Sequence, residues 1–146
     1  MFSEQSRTAL SRLVALLRAV QIIHHTAHWQ TAGATFYGDH LLFERLYSGI
    51  TEEFDGLAEK AVAYGGPGCV DALAQVALIA EFVATIGGTD LVRKSLTAEQ
   101  MLQDEIEECR TALEGAGELP LGLDNFLQGL ADSHETAIYL LGQRLA

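Results

Sequence analysis

A chain of 146 residues, 49% of them hydrophobic, fits one domain and can bury roughly 70% of the surface that its unfolded form exposes. Nine Lys and Arg against twenty Asp and Glu give a net charge of −11, a field that repels phosphate backbones and attracts cations, although acidity also serves solubility alone. Cys69 and Cys109 form no CxxC pattern, which argues against a disulfide framework or a thiolate zinc site. The apolar run from Val70 to Ala84 is interrupted by Asp71, Gln75 and Glu81, which excludes a membrane-spanning helix and leaves a cytoplasmic protein as the expectation.

From Ser3 to about Thr31 the apolar positions Leu10, Leu13, Val14, Leu17, Val20 and Ile23 recur at helical spacing, with Ser3 and Ser6 offering N-cap oxygens. A second long helix is predicted from Phe36 or Gly38 to Tyr64, ending at the Gly65-Gly66-Pro67-Gly68 cluster. A short helix from Val70 to about Ile86 follows. A third long helix is predicted over Thr97–Gly115, opened by Thr97 and Gln100 as a capping box, and a fourth over Leu123–Leu145. No strand-like alternation stands out. Four amphipathic helices must bury their apolar stripes against one another. The expected fold is therefore all-α: one ferritin-like four-helix bundle over residues 1–146, with the short helix in the connection between helices two and three.

The second helix gathers potential metal ligands. At 100° per residue, with His40 at zero, Thr51 falls near about 20°, Glu44 near 40°, Asp55 near 60° and Glu59 near 100°, all on one face. Glu44 and Asp55 lie eleven residues apart, hence about 16 Å along the axis, and cannot bind one metal within a single chain. Two copies packed antiparallel about a two-fold axis near Ser48–Thr51 would instead bring the His40/Glu44 end of each to the Asp55/Glu59 end of the other. His28 is available from the end of the first helix. Nitrogen and oxygen ligands without thiolate suit Fe(II), Mn(II) or Zn(II). Spacing alone leaves a second reading open, in which the carboxylates form a solvated helix face and His40 is a cap or core residue.

The run His28-Trp29-Gln30, then Gly33, Phe36, His40 and Glu44, then Asp55 through Glu59-Lys60 and Gly65-Gly66, resembles the signature of the Dps family of miniferritins. That pattern has His-Trp-Asn closing the first helix, a His and an acidic residue four apart opening the second, and D-x-x-x-E eleven residues later. The resemblance implies metal-ligand roles for His28, His40, Glu44, Asp55 and Glu59, and an electron-donor or core-capping role for Trp29. It implies ferroxidase chemistry at inter-subunit sites, with Fe(II) oxidised by hydrogen peroxide or oxygen and stored as ferric mineral. The homo-oligomer it implies is a hollow dodecamer. Gln30 departs from the family Asn, Tyr139 stands where a Trp is common, and His24 and His25 add imidazoles whose expected role is packing or support. His134 reads as structural. Glu118 and Asp124 are candidates for lining iron-entry pores.

Alternatives differ in class. A di-metal bundle centred within one chain needs two Glu-x-x-His pairs, and none of the five histidines has Glu three residues before it. A hydrolase using His24, His28 and His40 leaves Asp55 and Glu59 unexplained. A DNA-binding protein of the same fold is opposed by the charge and by the lack of a Lys-rich segment before the first helix or a basic tail after Leu145. A helical scaffold without metal chemistry is opposed by the complete ligand set.

Overall fold

The apolar stripe of the first helix is the centre of the fold: Leu10, Leu13, Val14, Leu17, Val20 and Ile23 are all buried. The computed structural model describes residues 1–146. Helix α1 spans Glu4–Gln30, α2 Phe36–Ser48, α3 Ile50–Gly65, α4 Ala72–Thr85, α5 Leu91–Gly115 and α6 Leu121–Leu145, with a 3₁₀ turn at Pro67–Val70. The paired α2 and α3 act as one long arm, so α1, α2/α3, α5 and α6 make the four-helix bundle, and α4 lies on α1 as the crossover. No helix is long and apolar enough to cross a membrane.

Side chains at helix ends explain the boundaries. The Ser3 hydroxyl accepts the Ser6 N–H at 3.3 Å, Asp71 accepts that of Ala74 at 3.0 Å, and Asp90 accepts that of Arg93 at 2.9 Å. This last cap corrects the expected start of the third long helix, which begins at Leu91 rather than Thr97. Thr97 and Gln100 lie within α5 and form no capping box there.

The second long helix is also not continuous, being interrupted at Gly49. Two local causes coincide. The Ser48 hydroxyl donates to the Glu44 carbonyl at 2.6 Å, a back-bond that loosens the helical ladder, and Gly49 has the weakest helical preference of any residue but proline. Gly49 still keeps right-handed angles, φ −82° and ψ −19°, so the chain carries on in nearly the same direction. The end of α3 is sharper. Gly66 has φ +86°, open to glycine without strain, and Pro67 starts the 3₁₀ turn immediately after.

The ends of the bundle are tied by charge. Arg144 near the end of α6 donates to Asp39 at 2.6 and 3.0 Å, and this contact holds the Asp39 carboxyl below its usual range. Around the main core, Gly65 sits where a Cβ would fall 2.6 Å from the Cys69 sulfur and 2.9 Å from the Arg7 side chain. A Cβ on Gly129, exposed on α6, meets nothing within 4 Å. Gly65→Ala is therefore expected to destabilise by about 1–3 kcal/mol through overpacking, and Gly129→Ala to stabilise by up to about 1 kcal/mol through helix propensity. Urea melts of the two variants check this pair, and equal shifts of one sign would contradict the packing.

Candidate metal centre

Two imidazoles meet where α1 ends and α2 begins. The His28 and His40 rings stack at 3.7 Å with 20° between their planes. Each hydrogen-bonds the other's main chain: His28 Nδ1 to the His40 carbonyl at 2.8 Å, and His40 Nδ1 to the His28 carbonyl at 2.9 Å. A carbonyl can only accept, so both Nδ1 atoms carry the hydrogen and both Nε2 atoms present lone pairs. That is the tautomer a metal ligand needs, already oriented by its second nitrogen. Phe36 covers the outer face of His40, with ring centroids 4.9 Å apart.

The carboxylates stand apart from this pair. Glu44, one turn after His40, is exposed on α2, and Asp55 and Glu59 are exposed on α3 beyond the break at Gly49. Within one chain no three His, Cys, Asp or Glu side chains converge on a point that could hold a metal ion. The structure thus brings together His28 and His40 of the expected ligands and leaves Asp55 and Glu59 at the far end of the arm. Trp29 is 67% exposed and touches neither stacked imidazole, its indole lying on His25 with centroids 4.0 Å apart.

A second constellation lies in the bundle core, and sequence reasoning missed half of it. His24 is buried completely, with Nδ1 3.1 Å from the Ser95 hydroxyl and Nε2 2.6 Å from Glu99. The other oxygen of Glu99 is 2.6 Å from His134 Nδ1, and His134 Nε2 is 2.7 Å from Glu53. One residue from each of α1, α3, α5 and α6 is thereby joined into a single chain. The network ends at a cavity of about 190 Å³ lined in part by Arg45, Glu53, Ser133 and Thr136. His134, expected to be structural, is so here, held by two carboxylates. Glu53 and Glu99 carried no sequence signal beyond the apolar neighbours of Glu99, Ala98 and Leu102.

Charge accounts for the strength of this network. Burial opposes a charge on His134, but the hydrogen bonds to Glu53 and Glu99 and their charges outweigh it and push its pKa up to about 9. Burial likewise opposes ionised Glu99, but His134 and His24 hold it below the ordinary carboxylate value. The other carboxylates expected to carry function are already engaged. Glu118 accepts the N–H and hydroxyl of Ser3 at 2.8–3.1 Å, and Asp124 is paired with Arg110 at 2.8 Å. These contacts remove the reason for placing Glu118 and Asp124 in an iron-entry pore.

Known proteins share both the fold and the sequence pattern. The family model described as a ferritin-like domain matches residues 7–146. An uncharacterised low temperature-induced protein of Nostoc sp. is 28% identical over 119 residues, 78% of this chain and 65% of the relative's own length. A DNA protection during starvation protein of Helicobacter pylori is 27% identical over 97 residues, 64% of this chain and 67% of the relative. Among solved structures, Dps from Thermosynechococcus elongatus superposes with a TM-score of 0.82 at 24% identity, covering 98% of this chain and 91% of that one. The chain belongs to the ferritin-like family, and its recognisable kin within that family are the Dps miniferritins.

The buried His134–Glu99 pair sets a pH window for stability. A raised His134 pKa stabilises the folded state fully below the ordinary 6.5, and this contribution is lost as pH rises through about 9. The lowered Glu99 pKa contributes above the ordinary 4.5 and is lost as acid protonates the folded carboxylate. Unfolding midpoints of the wild type should fall between pH 6.5 and about 9, and His134→Gln, less stable throughout, should show a flatter alkaline limb. Parallel curves would remove His134 as the linked group.

Proposed function

We propose that two copies of this chain pair antiparallel about a two-fold axis near Gly49 and that each pair makes two ferroxidase centres. Each centre takes His28, His40 and Glu44 from one copy and Asp55 and Glu59 from the other. Fe(II) is the substrate, hydrogen peroxide or oxygen the oxidant, and a ferric mineral the product, stored in a hollow homo-oligomer that by family resemblance is a dodecamer. The observation that carries this reading is the reciprocal clamp of His28 and His40, which orients two imidazoles and leaves both Nε2 lone pairs without a partner in the chain. Support comes also from the family membership and from the exposed carboxylates that no single chain can bring to the imidazoles. The chain spans about 65% of the length of the first relatives it matches, and their whole activity is not transferred to it.

The ligand types divide the chemistry. Neutral imidazoles hold the ferrous ion, and hard anionic oxygens from Glu44, Asp55 and Glu59 favour the ferric state. Hydrolysis of the ferric ion then releases it toward mineral. The net charge of −11 draws Fe(II) toward the surface and repels duplex DNA, so a gel shift at moderate salt is expected to show no complex, and a tight one would reveal a cationic patch.

The shared centre makes a sharp demand on mixed oligomers. His40→Ala and Glu59→Ala homo-oligomers should each fold and lose most Fe(II) oxidation, because every centre lacks a ligand. After dissociation and mixing, a hybrid pair has one centre with both mutations and one with none. Oxidation should return in proportion to the hybrids formed, to no more than half the wild-type level. Recovery of nothing would mean that each centre lies within one chain.

A further inference from the structure

An aromatic stack leads away from the clamped imidazoles, and none of its members is among the proposed iron ligands. The ring of His25 lies between two others: Trp29 on one side, with centroids 4.0 Å apart, and Tyr47 on the other, at 4.1 Å and 24°. The Tyr47 ring in turn presents an edge to His28, 5.2 Å away at 74°. Trp29 is the single tryptophan of the chain and is 67% exposed. The order is therefore solvent, indole, imidazole, phenol, then a proposed iron ligand, with no gap wider than ring contact.

That order matters chemically because peroxide takes two electrons and Fe(II) gives one. A centre holding a single Fe(II) would cleave peroxide to hydroxide and a free hydroxyl radical unless a second electron arrived from nearby. Phenol and indole are the side chains that give one most readily, and the imidazole of His25 serves as a contact between them without being oxidised itself.

Resting on the iron-oxidising reading above, we propose that Tyr47 supplies that second electron to the His28 centre and is refilled from Trp29 across the ring of His25. The balance closes. One Fe(II), one hydrogen peroxide, one phenol and one proton give one Fe(III), one neutral phenoxyl radical on Tyr47 and two waters. The O–O bond breaks, and of the two protons needed one comes from the phenol and one from solvent. In the second step the phenoxyl radical takes an electron and a proton and Trp29 gives an electron and its indole proton, leaving the neutral indolyl radical at the surface. Tyr47 is a relay residue, acting through His28 rather than on the iron.

Two measurements test the proposal separately from the iron chemistry. Azide radical generated by pulse radiolysis in the iron-free oligomer should oxidise Trp29, and the tryptophanyl absorption should decay as the tyrosyl absorption rises, at a rate independent of protein concentration. Tyr47→Phe should lose the tyrosyl rise, and His25→Ala should slow it. A rise unchanged in Tyr47→Phe, or no tryptophanyl radical at all, would overturn the path. In the second measurement, one Fe(II) per centre is mixed with peroxide and frozen. The wild type should show a tyrosyl signal by electron paramagnetic resonance, lost in Tyr47→Phe while Fe(III) still forms. Fe(III) without that radical in the wild type would overturn the role of Tyr47 alone, whereas no Fe(III) in any variant would overturn the iron reading and this role with it.

Discussion

Two imidazoles that each donate Nδ1–H to the other's carbonyl are the constraint on which the candidate site depends. The bonds of 2.8 and 2.9 Å satisfy two backbone carbonyls near the α1 end and the α2 start, so the same contact joins the helices and sets the tautomers. Replacing either histidine would break the ligand set and the link between the helices at once. The smaller core cluster beneath, with Ala27 from α1 and Phe43 and Leu46 from α2, keeps both helices in place to make it. Orientation of this kind is what a weakly held substrate ion requires, because little of its binding energy is available to move the ligands.

The buried chain of His24, Glu99, His134 and Glu53 holds the other half of the architecture. His24 precedes His28 by one turn on α1, and Glu53 precedes Asp55 by two residues on α3. The network therefore fixes two helices that carry proposed ligands while its own groups face inward, away from them. An ion pair this deep gains less in net stability than its attraction suggests, because both charges lose water. Its value lies in specificity: four helices of similar apolar stripe have many ways to pack, and only one alignment joins Ser95, His24, Glu99, His134 and Glu53 in series.

Much of this could be read in advance where the signal was local and periodic. The stripe of α1 specified its buried face residue by residue, and the H-W-Q run with the spaced His40, Glu44, Asp55 and Glu59 pointed to the site and to the need for a second copy. What stayed hidden was of two kinds. At Ser48-Gly49 a hydroxyl competes with the helix ladder, and the helical wheel drawn across it assumed a continuous rod. At Asp90 a cap lay seven residues ahead of Thr97, whose own pattern imitates a cap. Glu53 and Glu99 belong to the second kind: their partners are 35 to 81 residues away in sequence, and a glutamate read alone is taken for surface.

The five histidines of this chain separate by where their two nitrogens go, and that sorting explains why one residue type serves three purposes. In His24 and His134 both nitrogens are bonded to buried side chains, so neither can take a metal without breaking a bond in the core. In His28 and His40 one nitrogen is bonded to a carbonyl and the other is left over, the arrangement of a ligand in waiting. In His25 neither nitrogen bonds to the protein and the ring is held by its faces, between Trp29 and Tyr47. Proximity in sequence does not predict the outcome, since His24 and His25 are adjacent and fall into different groups. The helix does. A step of 100° turns His24 into the bundle and His25 toward the aromatic stack, and one further turn brings His28 against α2.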